Sequence, residues 1–200
     1  STSDGLSGSL TPTYSNNTNA GTAAADATYA GDANHAGSTN SANFTISQAT
    51  SNVTVTCPVA AQPYTGAAQT PCTASYSTSD GLSGSLTPTY SNNTNAGTAT
   101  ANAIYAGDVN HAGSNNSATF AISQVISIVT VTCPAVTQPF TGSAQTPCTA
   151  EATGVGMTPV DVTASLVYSN NTNLGTATAD ASWAGDINHT GNTGSNSFVI

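Results

Sequence analysis

An internal repeat is the feature that most constrains how this chain can fold. The chain opens with STSDGLSGSLTPTYSNNTNAGT, and the same letters recur at residues 77–98, which is 76 positions later. A third, more diverged copy carries YSNNTN at residues 168–173, 78 positions after the second. Repetition at a fixed period indicates a tandem array of similar modules. We therefore divide the chain into a first, partial repeat at 1–48, a second repeat at 49–124 and a third at 125–200.

The charge of the chain excludes one large class of partners. It contains no Lys or Arg and nine Asp or Glu residues, which gives a formal net charge of −9. Nucleic-acid affinity comes mostly from Lys and Arg that neutralise phosphates, so we expect no nucleic-acid binding. No apolar run approaches the roughly 18 residues of a membrane-spanning helix, and we expect no membrane insertion.

The four cysteines indicate the compartment. Cys57 and Cys72, and then Cys133 and Cys148, are separated by 15 residues in each full repeat. An even number at a repeated spacing predicts a disulfide within each repeat and an extracellular or cell-surface location. Closing a loop of this length contributes about 3 kcal/mol in the chain-entropy model. Zinc is the alternative, but the sites lack a CxxC pair.

Apolar and polar residues alternate along several segments, which is typical of strands with one buried face. Small apolar residues alternate with polar ones at residues 99–105, and the pattern recurs at 23–29 and 177–183. A second pattern, VTVTC, recurs in both full repeats, and in the third repeat the alternation predicts a strand over 160–168. Clusters of Asn, Asp and Gly between these segments predict tight turns. The fold class is therefore all-β, with small antiparallel sandwiches in tandem.

Three motifs resemble a known family. The strings TYAGDANHAGS, IYAGDVNHAGS and SWAGDINHTGN, each leading to an F-x-I or F-V-I strand, resemble the YxGDxNYxGS ending of bacterial Ig-like repeats. The half VTVTCP…YTGAAQTPCTA resembles the opening of the cysteine-bearing subset of these repeats. The resemblance implies Ig-like sandwiches within a large secreted or cell-surface adhesin-like protein. Some adhesin domains of this kind carry Lys-Asn isopeptide bonds, but without Lys this chain has only its disulfides as covalent braces.

The GDxNH turns are the candidate sites. They contain Asp32, Asp108 and Asp186, each followed by an Asn and a His. Calcium prefers six to eight oxygen ligands, and each turn supplies one obvious carboxylate. The alternative, which we favour, is a hydrogen-bonded turn in which the Asp caps its own backbone. The His residues are about 76 positions apart and are not expected to converge on a transition metal, so we expect no cofactor.

The linkers between repeats bear on assembly. They are only about six residues long, which leaves neighbouring repeats little freedom and predicts a stiff rod. The second linker carries Val125, Ile126 and Ile128, which predicts a packed junction or a lateral contact. The partial first repeat lacks the VTVTC strand, so its unpaired edges could be completed by strand addition from another chain. The alternative, which we favour, is that the sequence is an excerpt of a longer protein whose preceding residues complete the repeat.

These features predict a mechanical function. The first hypothesis is a structural stalk or an extracellular fibre, with neighbouring repeats and identical chains in a filament as partners. The alternative is an adhesion or binding module for a glycan, ice or another surface, assisted by calcium. The hypothesis of ice or glycan binding comes from the Thr side chains that are expected to be exposed on the VTVTC strands, namely Thr54, Thr56, Thr130 and Thr132. Exposed Thr is, however, common on strands. We expect no catalytic activity, because what repeats is a turn and not a converging triad.

Overall fold

The computed structural model describes residues 4–200, and its regular structure is almost entirely β-strand. Residues 1–3, which open the predicted partial repeat, lie outside the described residues. The strands in chain order are β1 Thr13–Ser15, β2 Gly21–Tyr29, β3 Ser38–Ile46, β4 Ser51–Thr56, β5 Gln62–Pro63, β6 Thr73–Thr78, β7 Ser83–Leu86, β8 Thr89–Ser91, β9 Gly97–Tyr105, β10 Ser114–Ser123, β11 Val125–Ile126, β12 Ile128–Thr132, β13 Thr149–Thr153, β14 Val160–Asp161, β15 Val167–Ser169, β16 Thr176–Gly185 and β17 His189–Val199. The prediction of an all-β fold is confirmed.

Five sheets form within residues 4–200. Their strand orders are β1-β2-β3, β4-β6-β7, β5-β10-β9-β8, β12-β13-β14 and β11-β17-β16-β15. Neighbouring long strands pair antiparallel, as β16 does with β17, whereas the short strands β5 and β11 pair parallel with β10 and β17. Within this range, no helix is long and apolar enough to cross a membrane.

The chain divides into two compact units that do not follow the repeat boundaries. The first unit contains residues 4–55, Thr73–Pro88 and Ala103–Asn116. The second contains Thr56–Cys72, Thr89–Asn102 and Ser117–Ile200. The first unit thus joins the partial repeat to the part of the second repeat that carries the GDVNH turn. The second unit joins the rest of the second repeat to the third.

The third repeat encloses one apolar core between its two sheets. Strands β12 and β13 bury Val129, Val131, Ala150 and Ala152, and strands β16 and β17 bury the other side of the same cluster. Ala177, Ala179 and Ala181 are at most 3% exposed, because their small side chains alternate with outward polar residues along β16. The predicted alternation is therefore confirmed, and Ala99, Ala101 and Ala103 are buried in the same register in the second repeat.

Within residues 4–48, the first repeat forms a single sheet with little buried surface. Phe44 is 42% exposed and Tyr14 is 56% exposed, whereas Phe120 and Phe198, the counterparts of Phe44, are 3% and 2% exposed. In the third repeat this face is covered, because Val129 and Val131 of the VTVTC segment pack in the same apolar cluster as Phe198. Completion of the first repeat by another chain stays a prediction.

The predicted strand over residues 160–168 is wrong in its middle. The segment forms strand β14, then a 3-10 turn at Thr163–Ser165, and then strand β15. The N–H of Thr163 donates to Oδ1 of Asp161 at 2.8 Å, and Oγ1 of Thr163 accepts a hydrogen bond from the N–H of Ala150 at 3.0 Å. These local bonds compete with the strand ladder. The alternating apolar letters were therefore insufficient evidence for a strand.

The four cysteines form the disulfides Cys57–Cys72 and Cys133–Cys148, which is the pairing within each repeat that we expect from the spacing. In both repeats a Tyr hydroxyl supports the second cysteine. The hydroxyl of Tyr90 donates to the carbonyl of Cys72 at 3.0 Å and accepts from its N–H at 3.0 Å. Tyr168 makes the same two bonds to Cys148.

This hydroxyl predicts the outcome of a minimal substitution. Tyr90→Phe removes one oxygen and leaves the N–H and carbonyl of Cys72 unpaired, so we expect a loss of about 1–3 kcal/mol in the free energy of unfolding. Tyr14→Phe is the matched control, because Tyr14 has the same place in the first repeat and its hydroxyl has no partner among the described residues. Calorimetric unfolding of both variants checks this, and equal effects would contradict it.

Candidate functional site

The GDxNH turns share one geometry in all three repeats. They are Gly31–His35, Gly107–His111 and Gly185–His189. In the second repeat, Oδ1 of Asp108 accepts hydrogen bonds from the N–H groups of Asn110 at 2.8 Å and His111 at 2.9 Å. Asp32 and Asp186 make the same bonds. The turn is thus the hydrogen-bonded kind that we favoured from the sequence.

The glycine that opens each turn is required by its conformation and surroundings. Gly107 has a φ of +75°, in the left-handed region that other residues rarely adopt. A Cβ on Gly107 would lie 2.5 Å from the carbonyl oxygen of His111. Gly31 and Gly185 are equally close to the corresponding carbonyls. The turn therefore has little freedom to rearrange.

The histidine of the turn bridges two carboxylates in the first two repeats. Nδ1 of His111 lies 2.7 Å from Oδ1 of Asp108, and Nε2 lies 3.0 Å from Oδ2 of Asp80. His35 bridges Asp32 and Asp4 in the same way. Because both ring nitrogens face negative oxygens, the doubly protonated ring is favoured. The pKa of His111 is therefore raised, by Asp108 first and by Asp80 second.

The third repeat replaces the second carboxylate with a backbone carbonyl. Nε2 of His189 lies 2.9 Å from the carbonyl oxygen of Val155, and Nδ1 lies 2.8 Å from Oδ1 of Asp186. The side chain of His189 is only 2% exposed. The hydrogen bond to the carbonyl of Val155 is the main cause of the raised pKa of His189, and desolvation by burial opposes it. This histidine is thus held by one carboxylate and by burial.

The asparagine of the turn binds the preceding repeat. In the first unit, Oδ1 of Asn110 accepts from the N–H of Ala20 at 2.9 Å, and Nδ2 donates to Oδ1 of Asn19 at 3.0 Å. In the second unit, Asn188 makes the same bonds to Ala96, at 2.8 Å, and to Asn95, at 3.2 Å. The partners belong to the NNTNxG turns, which are Asn16–Gly21, Asn92–Gly97 and Asn170–Gly175. Two different turns therefore form one recurring joint between successive repeats.

The linker makes the second set of contacts in each joint. In the first unit, Ala49 exchanges backbone hydrogen bonds with Asn110 and Ala112, at 2.8 and 2.9 Å. Nε2 of Gln48 donates to the carbonyl of Asp108 at 2.8 Å. In the second unit, Gln124 and Val125 bond in the same way to Asp186 and Asn188. The linker is thus fixed to the turn as a short parallel bridge.

The cysteine loop holds the NNTNxG turn and, in the second unit, extends the joint. Gln69 and Asn93 exchange two hydrogen bonds, at 2.8 and 2.9 Å, and Gln145 and Asn171 do the same. Tyr64 is 7% exposed, and its ring packs edge-to-face on the ring of His189 with centroids 5.3 Å apart. An aromatic contact therefore adds to the polar bonds of this joint.

The remaining predicted site residues lie apart from these joints. Val125 contributes its N–H to the junction, but Ile126 and Ile128 are 74% and 61% exposed and do not form a packed junction. Their lateral contact stays a prediction. Thr54, Thr56, Thr130 and Thr132 are exposed on outer sheet faces. Within residues 4–200, no group of three or more His, Cys, Asp or Glu side chains is arranged to hold a metal ion.

No protein-family model matches the chain, and no curated protein sequence matches it. The resemblance to bacterial Ig-like repeats therefore rests on the motifs alone. The fold and the joints define a class only coarsely, as an all-β protein of repeats that are braced by disulfides and joined through recurring turns.

The role of the asparagine in the joint was not predicted from the sequence. Asn34, Asn110 and Asn188 were predicted only as parts of a local turn, although each is a side chain that recurs two residues after the capping Asp. The contact of Tyr64 with His189 was harder to predict, because the letters PYTG do not indicate which surface covers the aromatic ring.

The bridged histidines predict a pH dependence. A raised pKa means that His35 and His111 stabilise the fold fully below pH about 6.5, the unfolded value, and lose this contribution as the pH rises through the folded value. The pKa values of Asp32 and Asp108 are lowered, first by the N–H groups of Asn34 and Asn110, so their contribution is lost only as the pH falls below about 3.8. Stability should therefore be greatest between these limits.

The measurement is an NMR titration of the histidine rings. We expect both His35 and His111 to titrate above the ordinary value. Asp80→Asn should lower the pKa of His111 and leave His35 unchanged, which makes His35 an internal control. An unshifted His111, or a parallel change in both rings, would disprove the bridge.

Proposed function

We propose that this chain is a segment of a structural stalk or extracellular fibre, built from tandem disulfide-braced Ig-like repeats. The observation that carries the proposal is the recurrence of one joint in both units, with an Asn side chain bound to the preceding NNTNxG turn. Chains that carry tension or hold a spacing need junctions that are reproduced from repeat to repeat. A binding module needs no such repetition.

The contacts at the joint support stiffness. Asn110 donates one hydrogen bond to the preceding repeat and accepts another, and the linker adds backbone bonds to the same turn. A net value of about 1 kcal/mol for each bond gives the two Asn bonds about 2 kcal/mol per joint. A short linker that is bonded along its length has few alternative conformations. Each repeat is thereby expected to keep a fixed orientation to its neighbour.

Composition and covalent bonds support an extracellular role. Two disulfides indicate an oxidising, non-cytoplasmic compartment. Only 4% of residues are charged, and Ser, Thr and Asn cover the outer faces of the strands. Such a surface offers few specific contacts, which suits a spacer better than a receptor. The Ig-like assignment is the fold that best accommodates the two-sheet core of the third repeat.

The experiment is small-angle scattering of the chain and of the double variant Asn110→Ala/Asn188→Ala. We expect one conformation to fit the wild-type profile, whereas the variant requires a mixture of orientations because both joints lose their Asn bonds. Asn34→Ala is the matched control, since that asparagine contacts no other repeat within residues 4–200, and all profiles are recorded at a concentration at which each chain is monomeric. A wild type that already requires a broad mixture would argue against the stalk.

The same samples test the alternative of a glycan, ice or surface-binding module. That function is favoured by the exposed Thr and Ser side chains on β4 and β6. A melting temperature that rises with calcium, or a signal on a glycan array, would favour the binding module over the stalk.

A further inference from the structure

The third repeat exposes an aromatic residue that the second repeat buries. Tyr64 in the loop PYTG is 7% exposed because it packs on His189 of the next repeat. Phe140 occupies the same place in the loop PFTG and is 56% exposed. The substitution removes a hydroxyl and keeps the ring, so the face remains suited to the same edge-to-face contact.

The polar half of this joint is also open in the third repeat. In the second unit, Oδ1 of Asn188 accepts a hydrogen bond from the N–H of Ala96, and Nδ2 of Asn188 donates to Oδ1 of Asn95. Their counterparts are the N–H of Leu174 and the side chain of Asn173, and neither has a partner among the described residues. Gln145 and Asn171 hold this turn as Gln69 and Asn93 hold the earlier one. The N–H of Leu174 and the side chain of Asn173 are thus held in a turn like the one that binds Asn188 in the second unit.

The complementary half of the joint lies in the first repeat. Asp32 closes the GDANH turn by accepting from the N–H groups of Asn34 and His35, at 2.8 and 3.0 Å. The side chain of Asn34, which corresponds to Asn110 and Asn188, has no partner within residues 4–200. The GDANH turn, which has the same Asp cap, therefore presents the Asn34 amide as the other two turns present Asn110 and Asn188.

The sizes of the flanking residues also match. In the joint of the second unit, Ile187, the large apolar residue that precedes Asn188, lies at the same cavity as the small Ala96 of the NNTNAG turn. The corresponding positions in the first unit hold Val109 and Ala20. The two open halves reverse this order, because the large residue is Leu174, 73% exposed, and the small one is Ala33. The combined volume of the pair is therefore kept.

We propose that the face formed by Phe140, Asn173 and Leu174 binds the GDANH turn of a second copy of this chain, head to tail. Asn34 of the second copy takes the place of Asn188, and its His35 ring packs on Phe140. The interface is heterologous, so it continues from copy to copy and produces an open filament. This inference rests on the proposed function, because it takes the joint within the chain as the pattern for the joint between chains.

The experiment is sedimentation of the 200-residue chain over a concentration series, together with the variants Asn34→Ala and Phe140→Ser. We expect the wild type to associate progressively, and each variant to associate at least about tenfold more weakly, since each loses one side of the interface. Both residues are exposed, so neither substitution should unfold the chain. An equimolar mixture of the two variants should form a dimer, because it restores one intact interface.

Ile126→Ser is the control for lateral association. It changes an apolar residue that is 74% exposed and lies outside both halves of the interface. Association that is lost in Ile126→Ser and kept in Asn34→Ala would overturn the head-to-tail proposal. So would a mixture that stays monomeric, or a wild type that is monomeric at about 1 mM.

The two proposals fail differently. A wild type that stays monomeric while scattering still fits one conformation would reject the contact between copies and retain the stalk. Flexible joints in the scattering experiment would reject the stalk itself. Association between copies would then have to be explained by another surface.

Discussion

The carboxylate of the GDxNH turn is the constraint on which the rest of the joint depends. Its Oδ1 accepts two backbone N–H groups and faces a ring nitrogen of the histidine, so three groups are oriented by one oxygen. A charged acceptor makes these hydrogen bonds stronger than neutral ones. With the backbone fixed, the asparagine at the third position after the glycine has few directions in which to project. The joint between repeats therefore begins with a local capping interaction.

The small apolar core of the third repeat explains why contacts with a neighbouring repeat matter for stability. The third repeat encloses mainly Ala and Val, with Phe198 and Ile200 as its larger buried side chains. Such a core buries limited apolar area, and modules of this size are marginal without covalent or neighbouring support. The disulfide supplies the first kind of support, and the next repeat supplies the second. Stability and assembly are thus connected, because the surfaces that join repeats also shield residues such as Tyr64 and His189 from water.

The three repeats differ most where they meet other parts of the chain. His111 uses Asp80, but His189 uses the carbonyl of Val155, because the third repeat has a diverged segment where the second has SDG. The diverged segment also brings Gly156 close to Gly66, where a Cβ on Gly66 would lie 3.0 Å from the Cα of Gly156. The second unit therefore has a carbonyl bond and the close approach of Gly66 and Gly156 where the first unit has the ion pair of His111 with Asp80. The asparagine bonds are unchanged, which indicates that the joint tolerates changes around it.

The sequence by itself determined the all-β class, the alternation of buried and exposed residues, the disulfide pairs and the positions of the turns. These follow from short-range rules, since side chains alternate with period two and Asp, Asn and Gly favour tight turns. Only the tertiary structure decided that Asn110 and Asn188 bind the preceding repeat, that Ile126 and Ile128 face outward, and that residues 163–165 leave the strand. Each depends on groups that lie far apart in the chain or on local bonds that compete with the ladder. Periodicity carries no information about which distant surface will cover a given side chain.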